Sequence, residues 1–297
     1  MPLASPRSTR APRTASSAGR AYGRPRGRLW SAFGVVLATL GCAPPGPQVA
    51  QSAEEPMRHR ITLGAPLKLE LSYLQSGDAR GPRLILIHGT PGSASGWADY
   101  LAEPPPGVEV IALDRPGFGD SGPEGALVSL ADQAAAVVAL FPADGRPVLL
   151  LGHSLGGPIA AWVAATHPER VAGLVLLAAS LDPAQEAIHP MQYVGAWTPV
   201  RGLLPRTIRN ANAELMALKP ELVALGPLLP LIVTRVVIVH GTTDDLVPLA
   251  NVPYMQARLT GARCLKTVLL DGRNHFLPWN SADAVRAAIA TALEPTC

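Results

Sequence analysis

From about residue 59 onward, hydrophobic and polar positions alternate between two patterns. Apolar runs rich in β-forming residues occupy 59–63, 67–74, 84–87, 108–113, 147–152, 171–178, 235–240 and 265–270. The central ones, L-I-L-I at 84–87, V-L-L-L at 148–151 and L-V-L-L at 174–177, are continuously apolar. That suits strands covered on both faces of a parallel sheet. Between the runs lie stretches with helical spacing, near 95–102, 127–141, 155–166, 250–260 and 281–293. Strands alternating with helices predict an α/β fold. The first two runs have no helix between them, so an antiparallel start is expected. Residues 58–297 read as one domain with a long insertion at about 182–234, between the sixth and seventh strands. Short amphipathic pieces fill it, broken by prolines that include Pro205, Pro220 and Pro230. A segment of that length needs structure of its own, and a small helical cap over a pocket is the economical reading.

The chain ahead of residue 58 follows neither pattern. Seven arginines lie between Arg7 and Arg28 with no acid among them. A 12-residue apolar stretch at 29–40 follows, then Gly41 and Cys42. Such a stretch is too short for the about 20 residues of a spanning helix, and its flanks are those of a secretory signal peptide. A small residue before a cysteine resembles a bacterial lipoprotein signal, which implies lipidation of Cys42 and a membrane-anchored protein of the periplasm or cell envelope. Thr39 stands where such signals usually carry Leu. The alternative is a cleaved secretion signal with Cys42 incidental. Residues 1–42 are thus read as an export signal and 43–57, rich in Pro and small polar residues, as a flexible linker.

The leader also changes the meaning of the charge. The whole chain carries 25 Lys and Arg against 22 Asp and Glu, a formal charge of +3. Without the seven leader arginines, 18 bases face 22 acids, so the positive balance is no argument for nucleic acid. A composition of 48% hydrophobic and 16% charged residues is that of a globular chain. Three cysteines are too few for a disulfide-built scaffold or a four-cysteine zinc site.

Candidate chemistry sits at the carboxyl ends of the expected strands, where open α/β sheets place their sites. The fifth run leads into G-H-S-L-G-G at 152–157, and a helical pattern follows at once. This is G-x-S-x-G in its strand–turn–helix setting, a nucleophile elbow that lifts Ser154 off the sheet. Serine needs a base, and the base an orienting carboxylate, which in this arrangement follow in the order Ser, acid, His. The loop after the seventh run, H-G-T-T-D-D-L-V-P at 240–248, offers Asp244 and Asp245. Adjacent side chains point differently, and the spacing G-x-x-D-x-x-V-P selects Asp244. His275 follows the eighth run and is the expected base. Of the other histidines, His59 lies in the first strand, His167 ends a helix, His189 is in the cap, and His88, His153 and His240 flank key turns. An oxyanion hole needs two aimed N–H donors, each worth about 3–4 kcal/mol. Leu155 follows the nucleophile, and Thr90 is the best donor in H-G-T-P-G-S at 88–93, because Pro91 has no N–H.

H-G-T-P-G, D-R-P-G-F-G-D-S-G at 114–122, G-H-S-L-G-G, G-T-T-D-D-L-V-P and N-H-F occur together and in order. As a set they resemble the α/β-hydrolase superfamily over about 58–297. The resemblance implies a mostly parallel eight-stranded sheet with helices on both faces, a Ser154–Asp244–His275 catalytic triad and no metal or organic cofactor. Ser154 argues against the members with an Asp nucleophile, the haloalkane dehalogenases and epoxide hydrolases. Asn274 stands where many members have Gly, and Asn tolerates a left-handed backbone. The expected activity is that of a serine esterase, or a relative acting on thioesters or lactones, on a small-molecule apolar acyl substrate. Acyltransferase, amidase, cofactor-free peroxidase and C–C bond hydrolase use the same site, and a non-catalytic binding protein on this fold is the alternative from another class. Phe118, Met191 and Trp197 are guessed to line the substrate pocket, with Arg115 and Asp120 holding the turn at 114–122. Strand and helix lengths bring Cys264 and Cys297 to the sheet end opposite the triad, which leaves two readings open, a disulfide between them or two free thiols.

Overall fold

Each of the eight apolar runs forms a strand in the computed structural model, which describes residues 55–294. The strands are β1 (Met57–Thr62), β2 (Glu70–Gly77), β3 (Arg83–Ile87), β4 (Glu109–Leu113), β5 (Val148–His153), β6 (Val171–Leu177), β7 (Arg235–Gly241) and β8 (Cys264–Leu270). They make one sheet in the order β1-β2-β4-β3-β5-β6-β7-β8. β1 pairs antiparallel with β2, and β2 with β4; the remaining pairs are parallel. β1 starts at Met57, so the last residue expected in the linker already belongs to the sheet. The leader, Cys42 and most of that linker lie outside the described residues.

The continuous apolar runs have a direct cause. In β3, Ile85 and Ile87 join one core while Leu84 and Leu86 join the other. β5 and β7 divide in the same way, so no strand position between the layers can face water. The first core is closed by α2 (Leu130–Val138), α3 (Gly156–Thr166) and α7 (Asn251–Arg258). The second is closed by α1 (Ala98–Ala102) and α9 (Ala282–Leu293). Local chemistry starts α2: the Ser129 side chain caps it by accepting from Asp132 N, and Asp132 faces the positive end of the helix.

The 182–234 insertion contains α4 (Pro190–Ala196), α5 (Thr198–Leu203), α6 (Arg206–Leu225) and a 3-10 turn at Gly226–Leu231. Short pieces were expected here, yet α6 runs for 20 residues straight through Pro220. Pro220 lies on the exposed side of the helix. Ala211, Leu218, Leu222 and Leu225 form a buried stripe on the other side, and the three leucines join the first core. That burial outweighs the hydrogen bond lost at the proline. A short α8 (Leu277–Asn280) precedes α9.

Candidate active site

Ser154 occupies a tight turn between β5 and α3, at φ 55°. Few residues other than glycine adopt this left-handed conformation, and it persists only where the surroundings enforce it. Here Ser154 N donates to Leu177 O at 3.0 Å, while Ser154 O accepts from Gly157 N at 2.9 Å. Glycines make the turn sterically feasible. A Cβ on Gly152 would overlap the Gly156 carbonyl, and one on Gly156 would overlap that of Ile87.

Asp244 and His275, 31 residues apart, meet at the ends of β7 and β8. His275 Nδ1 donates to Asp244 Oδ2 at 2.8 Å, and both residues are buried. The other carboxylate oxygen, Oδ1, accepts from Leu246 N at 3.0 Å and Val247 N at 2.8 Å. Burial opposes the charge of Asp244, but the bonds from His275, Val247 and Leu246 prevail and hold the carboxyl below its ordinary range. Asp245, its neighbour, is exposed. With Nδ1 donating to the acid, His275 presents Nε2 as the proton acceptor.

His153 bridges the nucleophile and the base. Its ring lies 4.8 Å from the His275 ring, and its Nε2 donates to His275 O at 3.1 Å. Trp97 and Trp279 meet it edge-on. Burial first, and the nearby His275 second, lower its pKa to about 3, so it is neutral at physiological pH. The structure thus joins Asp244 to His275 and links His275 to the residue before Ser154. Among the described residues no hydrogen bond joins Ser154 Oγ to His275. Such bonds commonly tighten only with substrate in place.

The loop after β3 lies against the nucleophile. A Cβ on Gly89 would come within 2.8 Å of Ser154 Cβ. Among the described residues neither the Thr90 nor the Leu155 N–H donates a hydrogen bond within the protein, leaving both free for an oxyanion. His88 Nε2 accepts from Arg115 N at 3.0 Å, so its Nδ1 carries the proton and donates to Gly89 O at 2.7 Å. Burial and the Arg115 charge push the His88 pKa well down.

Two sequence readings, those of Phe118 and Asn274, look different in the structure. Phe118 is fully buried and lines no open wall; it lies 4.8 Å under the Arg115 guanidinium and edge-on to His88. Met191 and Trp197 are on the cap, 43% and 63% exposed. Asn274 stays out of the left-handed region; its Oδ1 instead accepts from Phe276 N and Asn280 Nδ2, which shapes the base loop. His189, in the cap, accepts from Met191 N as the cap of α4. A concavity of about 640 Å³, lined by Pro82, Arg170, Val171 and Leu293 among others, opens at the amino ends of the strands, away from Ser154. Among the described residues no cluster of His, Cys, Asp or Glu is arranged to hold a metal ion. Cys264 is disulfide-bonded, and Cys297, its partner in one of the two readings, lies outside the described residues.

A family profile described as the α/β hydrolase fold matches residues 82–202. A solved bacterial membrane phospholipase A superposes with a TM-score of 0.61 at 25% identity, covering 80% of this chain and 87% of that one.

The chain has the α/β-hydrolase fold.

Among curated relatives, a pimeloyl-[acyl-carrier protein] methyl ester esterase of Pectobacterium carotovorum is 37% identical over 108 residues, 36% of this chain and 41% of that one. The acetyltransferase component of an acetoin-cleaving system from Pseudomonas putida is 33% identical over 179 residues, 59% and 43% respectively. The chain therefore spans about two-fifths of the length of these relatives. The candidate site lies at the carboxyl ends of the strands, after β5, β7 and β8. The sequence missed two of its neighbours: His153 seats the base, and Glu214 of α6 reaches the Arg115 beside Gly89. A histidine before the nucleophile was a visible signal. Glu214 had none.

Proposed function

We propose that this α/β hydrolase is a serine esterase that cleaves carboxylic esters of apolar acyl groups through an acyl-enzyme. The observation that carries this reading is Ser154 on its enforced turn, with the buried Asp244–His275 pair beside it. His275 Nε2 takes the Ser154 proton as Oγ attacks the ester carbonyl. The Thr90 and Leu155 N–H groups hold the oxyanion. Collapse breaks the C–O bond, and His275 returns the proton to the leaving alcohol. Water, deprotonated by the same nitrogen, then releases the acid and restores the Ser154 hydroxyl. Asp244 stabilises the imidazolium in both halves. Exposed Met191 and Trp197 offer apolar surface on the cap for the acyl chain. The esterase and phospholipase named among the relatives support ester hydrolysis.

The test is turnover of p-nitrophenyl esters of increasing acyl length by the full chain and by Ser154→Ala. We expect hydrolysis that falls at least about 10⁴-fold in the variant. Equal rates in the two proteins would remove Ser154 from the chemistry.

The leader supports a separate proposal, that 1–42 directs export and Cys42 carries a lipid anchor in the cell envelope. A disulfide at Cys264 suits an oxidising compartment. Metabolic labelling with a fatty acid, lost in Cys42→Ala, is the expected result; labelling of neither protein would reduce the leader to a cleaved signal.

A further inference from the structure

A fully buried arginine–carboxylate pair lies beside the oxyanion loop, outside the triad. Arg115 and Glu214, 99 residues apart, are both 1% exposed in their side chains and bond at 2.7 Å and 3.0 Å. Gln133 completes the cluster, accepting from Arg115 Nη1 at 2.6 Å and donating to Glu214 Oε1 at 2.9 Å. The second guanidinium nitrogen, Nη2, also donates to Gly89 O at 2.9 Å. Gly89 O therefore has two donors, Arg115 Nη2 and His88 Nδ1.

The Gly89 carbonyl shares one planar peptide group with the Thr90 N–H. That bond is not among the cis peptides of the described chain. In a trans peptide the carbonyl and the N–H point in opposite directions, so fixing one fixes the other. Two donors on the oxygen, one of them charged, also polarise the group and make the N–H a stronger donor.

Glu214 belongs to the cap. It stands on α6 one turn after Asn210 and two turns after Arg206, and all three face the turn at 114–124. Asn210 Nδ2 donates to Gly117 O at 2.8 Å, and Arg206 Nη1 donates to Gly119 O at 3.0 Å. One face of α6 thus grips the turn that carries Arg115, while its apolar stripe packs into the core.

We infer that Arg115 and Glu214 are positioning residues that aim the Thr90 N–H at the oxyanion, so that the seating of the cap sets the rate of acyl transfer. This rests on the serine-esterase reading above. Under it, cap and oxyanion hole form one mechanical unit, joined through Glu214, Arg115 and the Gly89–Thr90 peptide.

The experiment compares the full-length wild type with Arg115→Met, Glu214→Leu, their double variant and Arg115→Lys. Two readouts are used: hydrolysis of p-nitrophenyl butyrate, and the rate at which a fluorophosphonate labels Ser154. Each apolar single variant strands a buried charge and should melt lower, whereas the double variant removes both charges and should regain most of the lost Tm. With the charged one of the two donors to Gly89 O gone and only His88 Nδ1 left, the double variant should still show kcat reduced about 10- to 100-fold. Its KM should stay within about threefold, and labelling of Ser154 should slow in parallel. Recovery of both Tm and kcat in the double variant would reduce the pair to a structural bridge and overturn the inference. Where the apolar variants do not fold, Arg115→Lys decides. One ammonium cannot serve Gly89 O and both Glu214 oxygens as the planar fork does, so reduced kcat and slowed labelling are expected, and wild-type values of both would overturn the inference. A wild type that is labelled but hydrolyses no ester would overturn the esterase reading alone, leaving the labelling rates to decide this one. A wild type that does neither would overturn both.

Discussion

The two halves of the candidate site are held in different ways. The acid–base half is local. Asp244 is set by the backbone N–H groups of Leu246 and Val247, two and three residues on, and His275 meets it from the next strand end. The nucleophile–oxyanion half is held from afar, by contacts that run from Gly89 through Arg115 to Glu214 in the cap. Damage to the first half should therefore stay within the chemistry. Damage to the second should couple chemistry to cap packing.

Asp244→Asn offers the largest break. The amide cannot accept the His275 Nδ1 proton in the same way, and kcat should fall about 10⁴-fold with little change in melting temperature. Steady-state kinetics beside a thermal melt would check it, and a loss below about tenfold would place the acid elsewhere. His153→Ala comes next. It removes the donor to His275 O and the ring packed on the imidazole. A base shifted by about 1 Å loses up to about 100-fold in kcat, which the same assay would read.

A smaller and more general effect concerns pH. His88, His153 and His240 are buried, and burial lowers the pKa of each. Unfolded, they take up protons near pH 6.5; folded, they resist, in the case of His153 down to about pH 3. Stability should therefore be full above about pH 6.5 and decline as pH falls through that window, by up to about 1.4 kcal/mol per pH unit for each histidine. Denaturant melts between pH 4 and 8 would measure the slope, and a flat profile would mean that these rings are not held neutral. Asp245→Asn should do least. That carboxylate is exposed beside the buried Asp244, so stability should move by less than about 0.5 kcal/mol and kcat should hold. A large loss would exchange the roles of the two aspartates.

Legibility followed the same division. Asp244 was separable from Asp245 in the sequence because its partners are encoded within three residues. Ser154 was legible because its turn requires glycines at fixed offsets. Phe118 was misread as pocket wall. A motif specifies that an aromatic is present, but whether it faces a cavity or packs under Arg115 depends on elements far along the chain. Glu214 gave no sign for a related reason: a carboxylate on a mixed helix face reads as solvated, and only the docking of α6 buries it. The prolines of the insertion suggested breaks that α6 does not make, since helix ends depend on tertiary burial as well as on local propensity.

By itself the amino-acid sequence determined the eight strands, their parallel character and the residues at their carboxyl ends, because periodicity and glycine-bearing turns act over a few residues. Tertiary structure alone decided that a cap helix reaches the oxyanion loop. Residues 99 positions apart become partners only after the chain has packed, and no local preference marks a charge that burial will later pair.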